Sequence, residues 1–322
     1  MTSISQFSLC RDVSVLNPPK VAILLATYNG ASYLDAQLHS IANQIGVGID
    51  LFVSDDGSTD GTQELLARWA RSWHGRFEIF DGPCRGFSEN FRSLALRAAH
   101  DSDFVAFGDQ DDIWEPDKLS VAVAALDAGA SDRPGLYFSR TRLISAAGEP
   151  IGFSPLFKEP PAFRNAIVQS IGGGNTMVLN RRGFGLFAES ARRTSFATHD
   201  WWAYIICAGA GGFIYYDATA HIGYRQHADN LVGRNTGLLA RLNRLRLVLR
   251  GNFAHWTDVN LAGLDRCSDM LTDDARTVVS ALRDVRAARL LTAIRLLRRT
   301  GVYRQTGAGN LGLAFAAAIG KL

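Results

Sequence analysis

The chain has 322 residues, 47% apolar and 20% charged, with 34 basic and 31 acidic side chains. That is enough to bury a sizeable core and to hold one large domain with an appendage. No apolar run reaches the ~18 residues that a membrane-spanning helix needs; the most apolar stretch, Ile205 to Tyr216, is short and broken by Gly209, Gly211 and Gly212.

Val21 to Thr27 is a continuous apolar run, the pattern of a parallel strand covered on both faces. Tyr28-Asn29-Gly30 breaks it, and a helix follows with Leu34, Leu38 and Ile41 on one stripe. Ile49 to Ser54 reads as the second strand and ends in Asp55-Asp56-Gly57-Ser58. Asp60 and Gln63 then resemble a capping pair for a helix through Leu65, Leu66 and Trp69. Phe77 to Phe80 is a third strand, Ser88 to His100 a helix, and Phe104 to Gly108 the fourth strand. This alternation predicts an α/β fold with a doubly wound, mostly parallel sheet, which takes ligands outside the carboxyl ends of its strands.

The fourth strand ends abruptly in Asp109-Gln110-Asp111-Asp112. Like charges repel, and an unpaired buried ion is costly, so three carboxylates suit an exposed strand end and become favourable around a cation. All-oxygen ligands select a hard ion such as Mg²⁺ or Mn²⁺, commonly shared with substrate phosphates. The plainer alternative is an acidic loop that opens the helix after Pro116. Further on, Leu136 to Ile144 reads as a strand and Ser154 to Arg164 as an irregular loop. Gly172-Gly173-Gly174-Asn175 leads into a strand from Thr176 to Leu179. Asp200-Trp201-Trp202 opens a helix toward Cys207, Phe213 to Tyr216 is another strand, and Tyr224-Arg225-Gln226-His227 closes this part.

With these elements placed, the chain resembles the family 2 inverting glycosyltransferases of the GT-A fold. Within them it is most similar to the rhamnosyltransferase-type branch that builds bacterial surface polysaccharides. The motifs are Ala26-Thr27-Tyr28-Asn29-Gly30, Ser54 to Thr62, Asp109 to Trp114, His199-Asp200-Trp201-Trp202 and Tyr224-Arg225-Gln226-His227, in family order. The resemblance implies a GT-A catalytic domain over residues 20–233, between an N-terminal extension at 1–19 and a basic helical region at 234–322. It implies a UDP- or dTDP-sugar donor, with rhamnose a candidate sugar, a glycan or lipid-linked glycan acceptor, and Mg²⁺ or Mn²⁺.

The family pattern also implies roles. Thr27, Tyr28 and Asn29 would line the nucleotide pocket, with Gln110 beside them. Asp55 would accept the imide N–H of uracil or thymine, while Asp56, Ser58 and Asp60 are read as turn chemistry before a helix N-terminus. Arg85 would approach the nucleotide or its phosphates, its plainer reading being a solvated loop arginine. Asp111 would ligate the metal, Asp109 would face the ribose or the metal, and His227, from a late loop over the diphosphate, would add a further metal ligand or donate to phosphate. Arg225 would clamp phosphate. Asp200 would be the base, since inversion needs a group that takes the acceptor hydroxyl proton; its plainer reading is a carboxylate at a helix N-terminus. Trp201 and Trp202 are core candidates, or one of them stacks on the acceptor sugar. Asp112 is read as a cap of the following helix, and the glycine run as either a close approach to the donor sugar or a bend.

From Arg234 onward the chain carries 15 Lys and Arg against 6 Asp and Glu, a net +9, which leaves −6 on the rest. Leu238, Leu242, Leu245 and Leu249 form one helical stripe. Val278, Val279, Leu282, Val285, Ala293, Leu296 and Leu297 form a second, with arginines off both. Either these helices pack on the catalytic domain, or they lie on anionic lipid, where each Lys or Arg contributes about 1 kcal/mol. Nucleic acid is disfavoured, because interleaved aromatics and a matching motif are missing. Scattered Cys10, Cys84, Cys207 and Cys267, with no signal-peptide pattern, fit the cytoplasm. Two other functions compete. A nucleotidyltransferase would carry a Gly-rich basic loop after the first strand, and a degenerate membrane-surface scaffold would have lost motif residues.

Overall fold

Strict alternation along the strands decides which helices cover which face of the sheet. The structure, a computed structural model, describes residues 18–98, 101–227 and 252–322. In β1 (Lys20–Thr27), Val21, Ile23 and Leu25 enter one core, while Ala22 and Leu24 enter the other; all five are wholly buried. Burial on both faces is why this segment reads as one apolar run, and each such Val, Leu or Ile contributes about 1.5–3 kcal/mol.

β1 pairs in parallel with β2 (Gly48–Asp55) and β4 (Phe104–Asp109), and β2 in parallel with β3 (Phe77–Asp81). Beyond β4 the nine-stranded sheet continues through β8 (Val178–Asn180), β6 (Gly135–Ser145), β9 (Phe213–Gln226) and β5 (Ile113–Trp114). A further strand, β7 (Pro150–Phe153), pairs with β6. Because β8 is antiparallel to both β4 and β6, the strands β6 and β9 recover the direction of β1 to β4. Thr27, Asp55, Asp109, Ser145 and Gln226 therefore all end at one edge.

One face carries α1 (Ala31–Ala42), α2 (Thr62–Ser72) and α4 (Lys118–Gly129), through Leu34, Leu38, Leu66 and Leu119. The other carries α3 (Phe87–Arg97), the short α5 (Phe163–Ala166), α6 (Arg181–Arg193) and α7 (His199–Gly209). The helices α8 (Asn252–Arg266), α9 (Asp273–Ala287), α10 (Leu290–Thr300) and α11 (Gly307–Ala318) join this second core.

Among the described residues, the helices from Asn252 onward pack into the core and form no separate appendage. Val278, Val279, Leu282, Val285, Ala293 and Leu297 are buried in the core that holds Trp202. A Cβ at Gly263 would meet the Trp202 indole at 2.8 Å, and Arg164 grips Asp274 with two bonds of 2.7 Å. Packing accounts for this second stripe; the stripe from Leu238 to Leu249 lies outside the described residues, as do residues 1–17. Among the described residues no helix is long and apolar enough to cross a membrane.

Two local expectations change. β9 runs for 14 residues rather than four, because Asp217 to Ala220 is a half-exposed stretch without an apolar signature. Consequently Tyr224, Arg225 and Gln226 lie in a strand paired with Leu143 to Ser145, not in a loop. The capping pair of α2 is also absent: the Gln63 amide reaches Asp55, and Asp60 instead accepts from Ala31 N at the start of α1 and from Thr62.

Candidate active site

At the tip of β1 the backbone turns sharply, with Asn29 in the left-handed region at φ 47°. Gln110 holds this turn by donating to Tyr28 O at 2.9 Å and accepting from Tyr28 N at 2.8 Å. Its amide is thereby committed to the backbone, a correction to its expected contact with nucleotide. Tyr28 and Asn29 are exposed beside it, Tyr28 at 59%. Asn29 is tied to the next loop through Ser58 Oγ and Thr59 N.

Asp55 lies beneath this turn, 3% exposed. Its carboxylate accepts from Thr27 Oγ1 at 3.0 Å, Ser58 N at 2.9 Å, Ser58 Oγ at 2.6 Å and Gln63 Nε2 at 3.0 Å. Burial raises its pKa, but the bonds from Gln63, Ser58 and Thr27 outweigh that and hold it below the usual carboxylate value. Four donors fill the four acceptor positions of a carboxylate. Asp55 therefore organises the loop, and a base imide would have to displace one of these partners.

Asp56 has a sharper role than a turn residue. Its two oxygens accept from Cys84 N at 2.6 Å and Gly86 N at 3.1 Å, which flank Arg85. The Arg85 side chain is exposed on this pinned loop and has no salt-bridge partner among the described residues. It is a cation held at the sheet edge with no counter-charge among the described residues.

The acidic run divides into a half-buried part and a fully buried part. Asp111 belongs to the less buried part: its side chain is 14% exposed, and its carboxylate meets His227 Nε2 at 2.7 Å. The Tyr33 ring lies 4.9 Å from the imidazole. Asp109 is pushed up to about 7 by burial, then by the charges of Asp111 and Asp200. Asp112 is fully buried rather than a helix cap: it accepts from Asn175 Nδ2 at 2.6 Å and Arg225 N at 3.4 Å. Burial, then Asp111 and Asp109, push its carboxyl well above the ordinary value. Lys118, 1% exposed, places its ammonium 3.5 Å from the Trp114 ring centroid; burial lowers it to about 7 against the pull of Asp112.

Arg225 is 4% exposed. Its Nε donates to Asp111 O at 2.8 Å and its Nη1 to Ala146 O at 2.7 Å and Ser145 O at 3.4 Å. The guanidinium is a strap between backbone carbonyls, which corrects the expected phosphate clamp. Neither Asn175 nor Lys118 carries a motif signal, because each acts across more than five residues of sequence on a single buried carboxylate.

Asp200 opens α7, half-buried, with Oδ1 accepting from Trp201 N at 2.7 Å. It is near enough to Asp109 for its charge to act there. Trp201 and Trp202 are 6% and 0% exposed, and their indole N–H groups donate to Ala166 O at 2.6 Å and Ser190 Oγ at 2.9 Å. Both are core residues with no face to offer an acceptor sugar, so the stacking role does not hold. His199 is stacked 3.8 Å from the Phe91 centroid, with Phe107 and Phe87 edge-on. Burial lowers its pKa to about 4, so the ring is neutral, and neither nitrogen has a partner among the described residues. A Cβ at Gly174 would overlap this imidazole, and one at Gly172 would strike the Phe138 ring. The glycine run serves interior packing rather than an approach to ligand.

The model of the family described as "Glycosyl transferase family 2" matches residues 22–184. Over 241 residues the chain is 30% identical to the dTDP-rhamnosyl transferase RfbG of Shigella flexneri, covering 70% of this chain and 78% of that protein. It is 28% identical over 106 residues to the Escherichia coli UDP-Glc:alpha-D-GlcNAc-diphosphoundecaprenol beta-1,3-glucosyltransferase WfgD, covering 33% of this chain and 40% of the other. Among solved structures, Staphylococcus aureus TarS 1–349 in complex with UDP-GlcNAc superposes with a TM-score of 0.54 at 15% identity, covering 94% of this chain and 89% of that one. That likeness shows a shared fold, the GT-A fold that the family resemblance implies.

Proposed function

This chain belongs to glycosyl transferase family 2, and from that premise we propose that it transfers a sugar, with inversion, from a UDP- or dTDP-linked donor to a glycan or lipid-linked glycan. The process is the synthesis of a bacterial surface polysaccharide, at the cytoplasmic face of the membrane. The observation that carries this reading is the convergence of four groups at one sheet edge: the exposed Tyr28-Asn29 turn, Arg85 on its pinned loop, Asp111 with His227, and Asp200. Rhamnose is the proposed sugar, supported by the likeness to RfbG. A lipid-linked acceptor is supported by WfgD, whose name specifies a diphosphoundecaprenol acceptor.

Tyr28 and Asn29 line the base pocket, shaped from beneath by Thr27, Asp55 and Gln110. Arg85 meets the diphosphate. Among the described residues no three His, Cys, Asp or Glu side chains are grouped as a metal cage. Asp111 and His227, 2.7 Å apart, would therefore hold a divalent cation together with oxygens of the diphosphate, with Asp109 near them. Carboxylates suit Mg²⁺ and Mn²⁺, and the imidazole favours Mn²⁺ of the two. When bound, such an ion neutralises the charge that develops on the departing diphosphate. Asp200 takes the proton of the acceptor hydroxyl as that oxygen attacks the anomeric carbon. The bond to diphosphate breaks on the opposite face, its electron pair leaving on the phosphate oxygen. A screen of nucleotide sugars for binding and slow hydrolysis, with Mn²⁺, Mg²⁺ or EDTA, tests the proposal. A UDP- or dTDP-sugar should bind and hydrolyse; binding of neither class would overturn it.

A further inference from the structure

We propose that the outer face of α11, together with the arginines of α10, is the surface by which the protein lies on an anionic lipid bilayer. The use of this surface rests on the reading of a lipid-linked acceptor, but the surface is visible without it. α11 has no charged residue. Its inner side, Leu313, Ala316 and Ala317, is buried in the core. On the opposite side Leu311, Phe315 and Ile319 follow one another at i, i+4 and i+8, and they are 75%, 47% and 40% exposed. A helix apolar all round is normally enclosed. Here its outer half faces water.

The neighbouring α10 supplies the charge. It packs against α11 and buries Ala293, Leu297 and Thr300. Arg295, Arg298 and Arg299 point away from that buried side and are exposed, beside Leu291 at 81% exposure. None of these three arginines makes a salt bridge among the described residues, whereas Arg286 of α9 is matched by Asp258 at 2.5 Å. From Val285 to Leu322 there are seven Lys and Arg and not one Asp or Glu.

Charge complementarity selects the occupant. A second copy would bring the same uncompensated arginines against themselves, and like charges facing each other disfavour that contact. A bilayer offers apolar depth and negative headgroups together, the combination an interfacial amphipathic surface requires. The leucines of the sequence stripe at 278–297 do not serve this purpose, because they lie in the core.

The test uses the full chain with vesicles of phosphatidylcholine alone or mixed with phosphatidylglycerol. Binding is expected only to the mixed vesicles and should weaken as salt is raised. Changing Arg295, Arg298 and Arg299 together to Ala should lower that binding about a hundredfold. Leu311→Ser with Phe315→Ser should lower it about tenfold or more. Both variants change exposed side chains, so their melting temperature and donor hydrolysis should match the parent. Equal binding to both vesicle types, binding to neither, or unchanged binding of both variants would overturn the proposal. So would a concentration-dependent dimer that the serine variant abolishes, because that assigns the face to a second copy. Loss of donor hydrolysis with vesicle binding intact would instead overturn the transferase reading, so the two failures are distinguishable.

Discussion

His227 Nε2 lies 2.7 Å from the Asp111 carboxylate, joining the residue just after β9 to the loop just after β4. Two residues earlier, Arg225 Nε holds the Asp111 carbonyl at 2.8 Å. Arg225 and His227 lie at and just beyond the end of β9, so one stretch of chain grips both the main chain and the side chain of a single aspartate. A cation at Asp111 would take the place of the hydrogen-bonded proton and leave the backbone strap untouched.

Metal dependence is the first consequence. Nucleoside diphosphate affinity measured by calorimetry should rise with Mn²⁺ and fall with EDTA. Asp111→Asn and His227→Ala should each remove about a hundredfold or more of the metal-supported affinity, in line with the sensitivity of metal sites to their supporting residues. Identical affinity in EDTA and Mn²⁺ would reject the site.

Asp200→Asn keeps the shape of the side chain but cannot accept the acceptor proton. Its kcat should fall about 10²- to 10⁴-fold, the usual contribution of a general base. Donor affinity should stay within a few-fold of the parent, which separates loss of chemistry from loss of binding. Transfer at near-parental rates would remove Asp200 from the mechanism.

His199 should make stability depend on pH. The buried ring has a folded pKa of about 4 against an ordinary value of 6.5. Between those values the unfolded chain binds the extra proton, so stability is full above about 6.5 and declines as pH falls through the folded pKa. The integrated loss is about 3 kcal/mol. His199→Phe should flatten this dependence in urea unfolding measured from pH 7 to 4, whereas an unchanged slope would contradict the assignment.

Asp56 and Arg85 should act through one loop. Arg85→Ala removes a charge-assisted contact to phosphate, so nucleoside diphosphate affinity should drop about tenfold or more. Asp56→Ala frees the amides of Cys84 and Gly86 and should raise the donor KM by a similar factor. In the double variant the two losses should fall short of additive, because the second change acts on an arginine that is already gone. Full additivity would mean that Asp56 works elsewhere.

Much of the fold was legible because β1, β2 and β4 are buried on both faces, and their apolar runs end in polar clusters that the parallel register brings to one edge. Asp109, Asp111 and Asp200 stood out for the same reason: charge at the end of an apolar element is conspicuous. What the sequence concealed was the partner of each polar group. Gln110 and Asp55 sit in motifs, yet their hydrogen bonds go to Tyr28, Thr27, Ser58 and Gln63. Arg225 and Trp201 spend their donors on carbonyls far away in sequence. The polar centre of β9 hid a strand, because half-exposed pairing leaves no alternation to read.

The clamp of Gln110 on Tyr28 leaves no room for a side chain at Gly30, where a Cβ would overlap the amide. Gly30 has an ordinary φ of −103°, so the restriction comes from its neighbour and not from the backbone. Across evolution the two positions should therefore change as a pair. A relative with alanine or serine at the position of Gly30 is expected to have lost the glutamine at the position of Gln110, and with it this way of fixing the turn that presents Tyr28 and Asn29.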